Sequence, residues 1–183
     1  MAESTLTKRA LASALKELIA EVPFEKITVA QICEKCDMNR KSFYYHFRDK
    51  YDLVDWIFDM DFLSVLSQDI NDDHLAFLNA FCKLFYENRA FYRKALEIKG
   101  QNSFSDHFKE CLIPIVRQRH SFLYGDSQPN SFALSILADV CVCVLERWLL
   151  EKDCMTPEQI IPLIESILTA SALSLYKGLD QTT

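Results

Sequence analysis

Apolar residues recur every three to four positions along nearly the whole chain, the period of α-helices buried along one face. Leu6, Ala10, Leu11, Ala14, Leu15, Leu18 and Ile19 predict a first helix that ends near Val22-Pro23. Thr28 with Gln31 forms a capping box that opens a second helix, and Ile27 and Ile32 occupy hydrophobic-staple positions. The same grammar repeats at once: Asn39 is a strong N-cap, with Met38 and Phe43 as its staple. Between these two helices lies Cys36-Asp37-Met38, where Asp37 is expected to take the left-handed conformation that ends a helix, at more cost than Gly. Asp49 caps a fourth helix from Lys50 towards Ser67, and Asn71-Asp72-Asp73 breaks the pattern. Further helices are predicted over 74–88, 91–100, 103–123, 130–152 and 157–177, with Gly125-Asp126-Ser127-Gln128-Pro129 as the clearest loop. The last helix starts from a second capping box, Thr156-Pro157-Glu158-Gln159, with a Met155/Ile160 staple. The expected fold class is all-α, with about nine helices and no internal repeat.

The third helix separates its residue types by side. On a helical wheel Phe43 and Phe47 face one way, Lys41, Ser42 and Tyr45 face the other, and Arg40 and Tyr44 flank them. A short helix that is basic, aromatic and hydroxyl-bearing on its outer face suits a DNA major groove, so the pair reads as a helix-turn-helix. The alternative is an amphipathic hairpin with a merely solvated face, against which two outward tyrosines argue. Arg40, Lys41, Ser42 and Tyr45 are the candidates for base edges. Thr28, Tyr44, His46 and Lys50 are the candidates for phosphates, which fix register without reading sequence. His46 packing at the helix flank stands as an alternative, and Lys50 lies at a helix N-terminus whose amides also favour phosphate.

The stretch from Thr28 to Leu53 resembles the DNA-binding domain of TetR/AcrR-type transcriptional regulators, through Tyr-x-x-Phe-x-x-Lys-x-x-Leu at Tyr44, Phe47, Lys50 and Leu53. Asp37 departs from the Gly usual in that turn. The resemblance covers about the first third of the chain, and the remainder matches in layout. It implies a three-helix DNA-binding domain over 1–50 and a helical ligand-binding and dimerisation domain over 51–183. It also implies an effector that tilts the two heads apart. Phe91-Tyr92-Arg93-Lys94-Ala95-Leu96, Asn102-Ser103-Phe104 and Arg147-Trp148-Leu149 are similar to a subgroup that regulates dihydroxyacetone kinase operons, which brings in an activator working with a partner protein.

Composition narrows this further. With 50% hydrophobic residues, 3 Gly and 5 Pro in 183 residues, the chain can bury a substantial core and favours long helices over β turns. The net charge of −6 excludes a general polycation. Its distribution matters more: residues 1–50 hold 9 Lys+Arg against 7 Asp+Glu, and the remainder holds 11 against 19. A locally basic head on an acidic body can bind phosphates through its contacting face. Among seven cysteines, Cys33 and Cys36 form a C-x-x-C, yet no second pair or His cluster has the spacing to complete a zinc site, and they read as core. The odd cysteine count and the absence of a basic-then-apolar leader point to a reduced cytoplasm. No Gly-rich phosphate loop, nucleophile elbow or paired-carboxylate motif stands out, and Asp69, Asp72 and Asp73 read as solvated, so no enzyme, cofactor or metal is expected.

From Phe132 to Leu150 only Asp139, Glu146 and Arg147 are charged, too many for a membrane span and too few for a one-faced helix. Ile160, Ile161, Leu163, Ile164, Ile167, Leu168, Leu173 and Leu175 make the last helix similar. Two such helices from each of two subunits would build a four-helix homodimer interface through 130–152 and 157–177, the alternative being one well-covered core helix. A two-fold axis would then set two recognition helices in major grooves about 34–36 Å apart, or a multiple of that, on a palindromic operator. Phe77, Phe81, Phe85, Phe91, Tyr92, Phe104, Phe108, Phe122 and Trp148 crowd the middle, more as core than as chamber; His107, Arg117, His120 and Asp139, with Trp148, are the candidate ligand contacts. The rival class is a helical small-molecule-binding or adaptor protein that no longer contacts DNA.

Overall fold

The caps expected at Thr28, Asn39 and Asp49 all form. The computed structural model describes residues 2–68, 74–100, 103–124 and 130–180. The expected break at Asn71-Asp72-Asp73, the Gly125–Pro129 loop, Asp69 and Asn102 lie outside the described residues, as do the side chains of His120, Phe122, Leu168, Leu173 and Leu175. The described residues form α1 (Ala2–Glu21), α2 (Val29–Lys35), α3 (Arg40–His46), α4 (Lys50–Leu66), α5 (His74–Glu87), α6 (Arg89–Leu96), α7 (Phe104–Tyr124), α8 (Ser131–Leu150) and α9 (Pro157–Asp180), with no strand among them. A 3-10 turn, Phe24–Lys26, separates α1 from α2.

Thr28 caps α2 through a reciprocal box: its hydroxyl accepts from the Gln31 amide at 3.3 Å, and its own amide donates to Gln31 Oε1 at 2.8 Å. Asn39 Oδ1 accepts from the Ser42 amide at 2.8 Å, and Asp49 Oδ1 accepts from Tyr51 and Asp52, both at 2.9 Å. The tight turn closes as a Schellman motif. Met38 N–H donates to the Cys33 carbonyl (2.8 Å), Asp37 N–H donates to the Glu34 carbonyl (3.2 Å), and Asp37 itself sits at φ 52°. Gly would occupy this position without the strain of a Cβ. Asp37→Gly is therefore expected to stabilise the head by up to about 1 kcal/mol, and Asp37→Val to destabilise it by about 1–2 kcal/mol, read as opposite shifts in thermal midpoint.

The one clear difference in helix bounds is at α6, predicted over 91–100. It starts earlier, after Asn88, and stops at Leu96, where a turn closes from the Ile98 N–H to the Ala95 carbonyl at 3.1 Å; Gly100 follows at φ 94°.

Leu11, Leu15 and Ile19 of α1, Ile32 of α2, Phe43 of α3 and Leu53 of α4 bury together in the head. α4 continues into the body without interruption, and its Phe58 lies among Phe62, Phe85, Tyr92, Phe104 and Phe108, with ring centroids 5.2–6.5 Å away. The aromatic middle of the chain is thus packed core. The Tyr92 hydroxyl donates to Asp61 Oδ2 at 2.8 Å, which also receives the Lys16 ammonium at 3.0 Å, joining α1, α4 and α6. Burial, and then Asp61, push the Tyr92 phenol well up, so it remains a neutral donor.

α8 packs on α7 and α6, and α9 on α5. Arg93 of α6 donates to the carbonyls of Leu149 and Glu151, capping the end of α8. On its other side α8 leaves an apolar stripe in solvent: Phe132 (72% exposed), Ile136 (46%), Val140 (51%) and Val144 (39%), each one turn apart. On α9, Leu163 and Ile167 are exposed as well. A helix apolar on all sides is therefore only half covered by its own chain. No helix among the described residues is long and apolar enough to cross a membrane.

Candidate nucleic-acid interface

Two buried aromatics hold α3 from beneath. Phe43 and Phe47 are both in the core with ring centroids 5.7 Å apart, and Phe47 meets Trp56 of α4 edge-on at 5.8 Å. The Lys8 ammonium of α1 lies 5.5 Å from the Phe47 ring centroid and 5.7 Å from that of Trp56. This three-way contact fixes the height and tilt of α3 on the head. Its opposite face carries exposed Arg40, Lys41, Tyr44 and Tyr45, the last 82% exposed. Neither Arg40 nor Lys41 forms an ion pair among the described residues, and α3 contains no carboxylate of its own. The helix therefore offers two unneutralised cations and two phenols on a rigid mount.

The remaining expected contacts divide. Thr28 is exposed at the start of α2 on the surface, its hydroxyl tied into the capping box. Ser42 is half-buried and its hydroxyl donates to Asn39 Oδ1 at 3.3 Å, which leaves it lone pairs to accept with. His46 is half-buried, with its ring edge against Tyr45 at 4.8 Å, the flank-packing arrangement named above as its alternative.

Lys50 is placed differently from its expected phosphate role. Its ammonium donates to the carbonyls of Phe24 (2.7 Å), Glu25 (3.1 Å) and Ile27 (2.9 Å), which uses all three of its N–H bonds. Burial lowers its pKa, with the Glu25 carboxylate opposing. Its stem lies over Phe24, with the ammonium 4.4 Å from the ring centroid. Lys50 thus clamps the 3-10 turn onto the start of α4. Lys50→Met keeps the stem and orphans three carbonyls, two of them partly buried. It is expected to destabilise the protein by about 2 kcal/mol in denaturant unfolding while leaving the DNA affinity of the folded fraction nearly unchanged.

The candidate ligand contacts do not converge. Arg117 is exposed, Asp139 pairs at the surface with Lys109, and Trp148 is buried against Tyr86 while its indole N–H donates to the Met155 carbonyl at 2.8 Å. His120 lies in α7, its side chain outside the described residues. A groove of about 610 Å³ lies instead between α1 and α4 and is lined by Arg9, Lys16, Trp56, Met60 and Asp61 among others. Among the described residues, neither this groove nor the one along the end of α8 is lined by any of the candidate ligand contacts.

His107 alone joins a chemical cluster. Its Nε2 lies 2.8 Å from Asp59 Oδ1 of α4 and 3.7 Å from Cys111 Sγ, which is 3.8 Å from the same Asp59 oxygen. The Asp59 hydrogen bond, then Cys111, raise the His107 pKa to about 10 against the opposing effect of burial. Cys33 is buried and Cys36 donates its thiol to the Ile32 carbonyl, so the C-x-x-C pair is packing.

Residues 11–57 match the family described as bacterial regulatory proteins, tetR family, and residues 72–170 match the transcriptional regulator C-terminal region. The chain belongs to the TetR family of transcriptional regulators, whose members bind DNA as dimers. It is similar to the HTH-type dhaKLM operon transcriptional activator DhaS of Lactococcus lactis subsp. lactis, with 30% identity over 101 residues. That match spans 54% of this chain and about half, 53%, of the relative. In fold it resembles the dihydroxyacetone kinase operon activator DhaS, at TM-score 0.67 and 20% identity over 91% of this chain and 96% of that one. A TetR transcriptional regulator from Streptococcus agalactiae 2603V superimposes with TM-score 0.68 and 23% identity, covering 90% and 94% of the two chains.

Proposed function

We propose that this chain regulates transcription by binding a palindromic operator as a homodimer, reading base edges with Arg40, Lys41, Ser42 and Tyr45 and holding phosphates with Thr28, Tyr44 and His46. One observation carries the proposal: α3 sits on two buried aromatics with its cations and phenols outward and unneutralised. A helix on such a mount is already oriented, so docking it requires little backbone ordering.

The stripe Phe132–Ile136–Val140–Val144, with Leu163 and Ile167, supports dimerisation through α8 and α9. The functional division proposed is a head of 1–50 and a body of 51–183. One apolar cluster runs through both, so α4 is the element that carries a change between them. Control of DNA affinity by a small molecule in the body belongs to the proposal through family membership, without an assigned pocket. The dihydroxyacetone-kinase activators among its relatives make activation the sign to test first. Action on DNA is the ground for proposing that the protein works in the cytoplasm.

The direct test is titration of the purified protein onto its own upstream region over a range of salt. Sequence-preferring binding whose affinity falls steeply and linearly on a logarithmic salt scale supports the reading, because neutralised phosphates release counterions. A dimer that binds no DNA at any salt would instead favour the adaptor class.

A further inference from the structure

Two pairs of metal-ligating residue types face each other between α4 and α7. His107 and Cys111 are one turn apart on α7, and Asp55 and Asp59 are one turn apart on α4. Asp59 Oδ1, His107 Nε2 and Cys111 Sγ form a triangle with edges of 2.8, 3.7 and 3.8 Å, and all are half-buried. We propose that Asp59, His107 and Cys111, with a fourth position open to water or to Asp55, bind a divalent transition ion of the zinc type and bridge α4 to α7.

The distances fit that ion. Zinc bonds of about 2.0–2.3 Å at tetrahedral angles put oxygen, nitrogen and sulfur donors about 3.4–3.6 Å from one another. Both sulfur edges already lie within a few tenths of an ångström of this value. Only the Asp59–His107 edge must open, by about 0.6 Å, when the direct hydrogen bond gives way to two metal bonds. The Asp59 side chain is 44% exposed and has room to make that shift.

The donor set selects the ion class. One thiolate, one imidazole and one carboxylate suit zinc, cobalt or nickel; magnesium and calcium would demand oxygen donors throughout. On binding, the ion replaces the proton on His107 Nε2 and the thiol proton of Cys111, and both pass to solvent. Asp59 and the Cys111 thiolate then balance the charge of a divalent ion. Asp55 forms no hydrogen bond or ion pair among the described residues although it is half-buried, and its electrostatic neighbours include both His107 and Asp59. Asp55 lies one turn along α4, outside the triangle itself, and it and a solvent water are the two candidates for the fourth position.

The site lies on the helix that follows α3 after Phe47, so an ion there would tie the DNA-binding head to the body. By linkage, an ion that prefers one α4–α7 spacing would change DNA affinity by the ratio of its affinities for the two spacings.

The test uses the full chain, reduced, freed of metal and without DNA, so its outcome is independent of the regulator reading. Cobalt(II) is titrated in and followed by absorption. One equivalent is expected to produce a thiolate-to-cobalt charge-transfer band with the visible bands of tetrahedral cobalt, both removed by one equivalent of zinc. Cys111→Ser should abolish the charge-transfer band, and His107→Gln should weaken binding at least roughly 10²-fold. Cys36→Ser should leave both intact, which separates this site from the C-x-x-C pair. Zinc should raise the thermal midpoint of the unsubstituted protein, a readout that needs no variant to fold. Absence of a stoichiometric cobalt band, or a band that survives Cys111→Ser or disappears with Cys36→Ser, would overturn the proposal.

Discussion

Arg40→Ala should weaken specific DNA binding roughly 30-fold to 10⁴-fold with no loss of fold. A good bidentate contact between arginine and a base edge is worth about 1–3 kcal/mol, and a symmetric dimer contains two copies, for a total of about 2–6 kcal/mol. The side chain is fully on the surface and makes no ion pair among the described residues, so truncation leaves nothing orphaned in the protein. The variant should therefore melt like its parent. Its diagnostic effect is on preference: discrimination at one base pair of each half-site should relax while the salt slope stays almost constant. Tyr44→Phe differs in kind, because losing a phosphate contact weakens all sequences about equally. If Arg40→Ala changes the salt slope and leaves preference intact, Arg40 belongs with the phosphate contacts.

Val140→Arg should convert the protein to monomers at micromolar concentration. Val140 lies mid-stripe on α8 and half its surface is in solvent, so one chain accommodates arginine there without disturbing its core. In a two-fold interface each copy would bury an unpaired guanidinium against the other's apolar face. A combined penalty of at least about 3 kcal/mol raises the dimer dissociation constant by more than roughly 10²-fold. Sedimentation should show a monomer with undiminished helix content, and operator affinity should fall with it. A dimer that persists through this change would assign the stripe to some other occupant.

The elements were legible where local grammar decides them. Thr28, Asn39 and Asp49 cap the helices as their spacing requires, because a cap depends on residues two or three positions away. Asp37 was legible for the same reason, as a position needing positive φ. Lys50 shows where such reading stops. Its sequence neighbours place it at a helix start facing phosphate, yet three carbonyls 23 to 26 residues earlier decide its partner. Likewise, His107 and Cys111 form a visible i,i+4 pair, but only the packing of α4 on α7 brings Asp59 to them across 48 residues. The apolar character of α8 was plain in sequence; which side its own chain would cover was not, since that depends on α6 and α7.

Two α3 helices related by a two-fold axis should read a palindrome. Selection from a random pool of duplexes with the purified full chain tests this most directly. The expected result is enrichment of inverted repeats whose half-site centres lie about 10 base pairs, or a multiple, apart, with preference at one base pair of each half-site lost in Arg40→Ala. Enrichment of a single unrepeated site, or no enrichment above the starting pool at low salt, would contradict it.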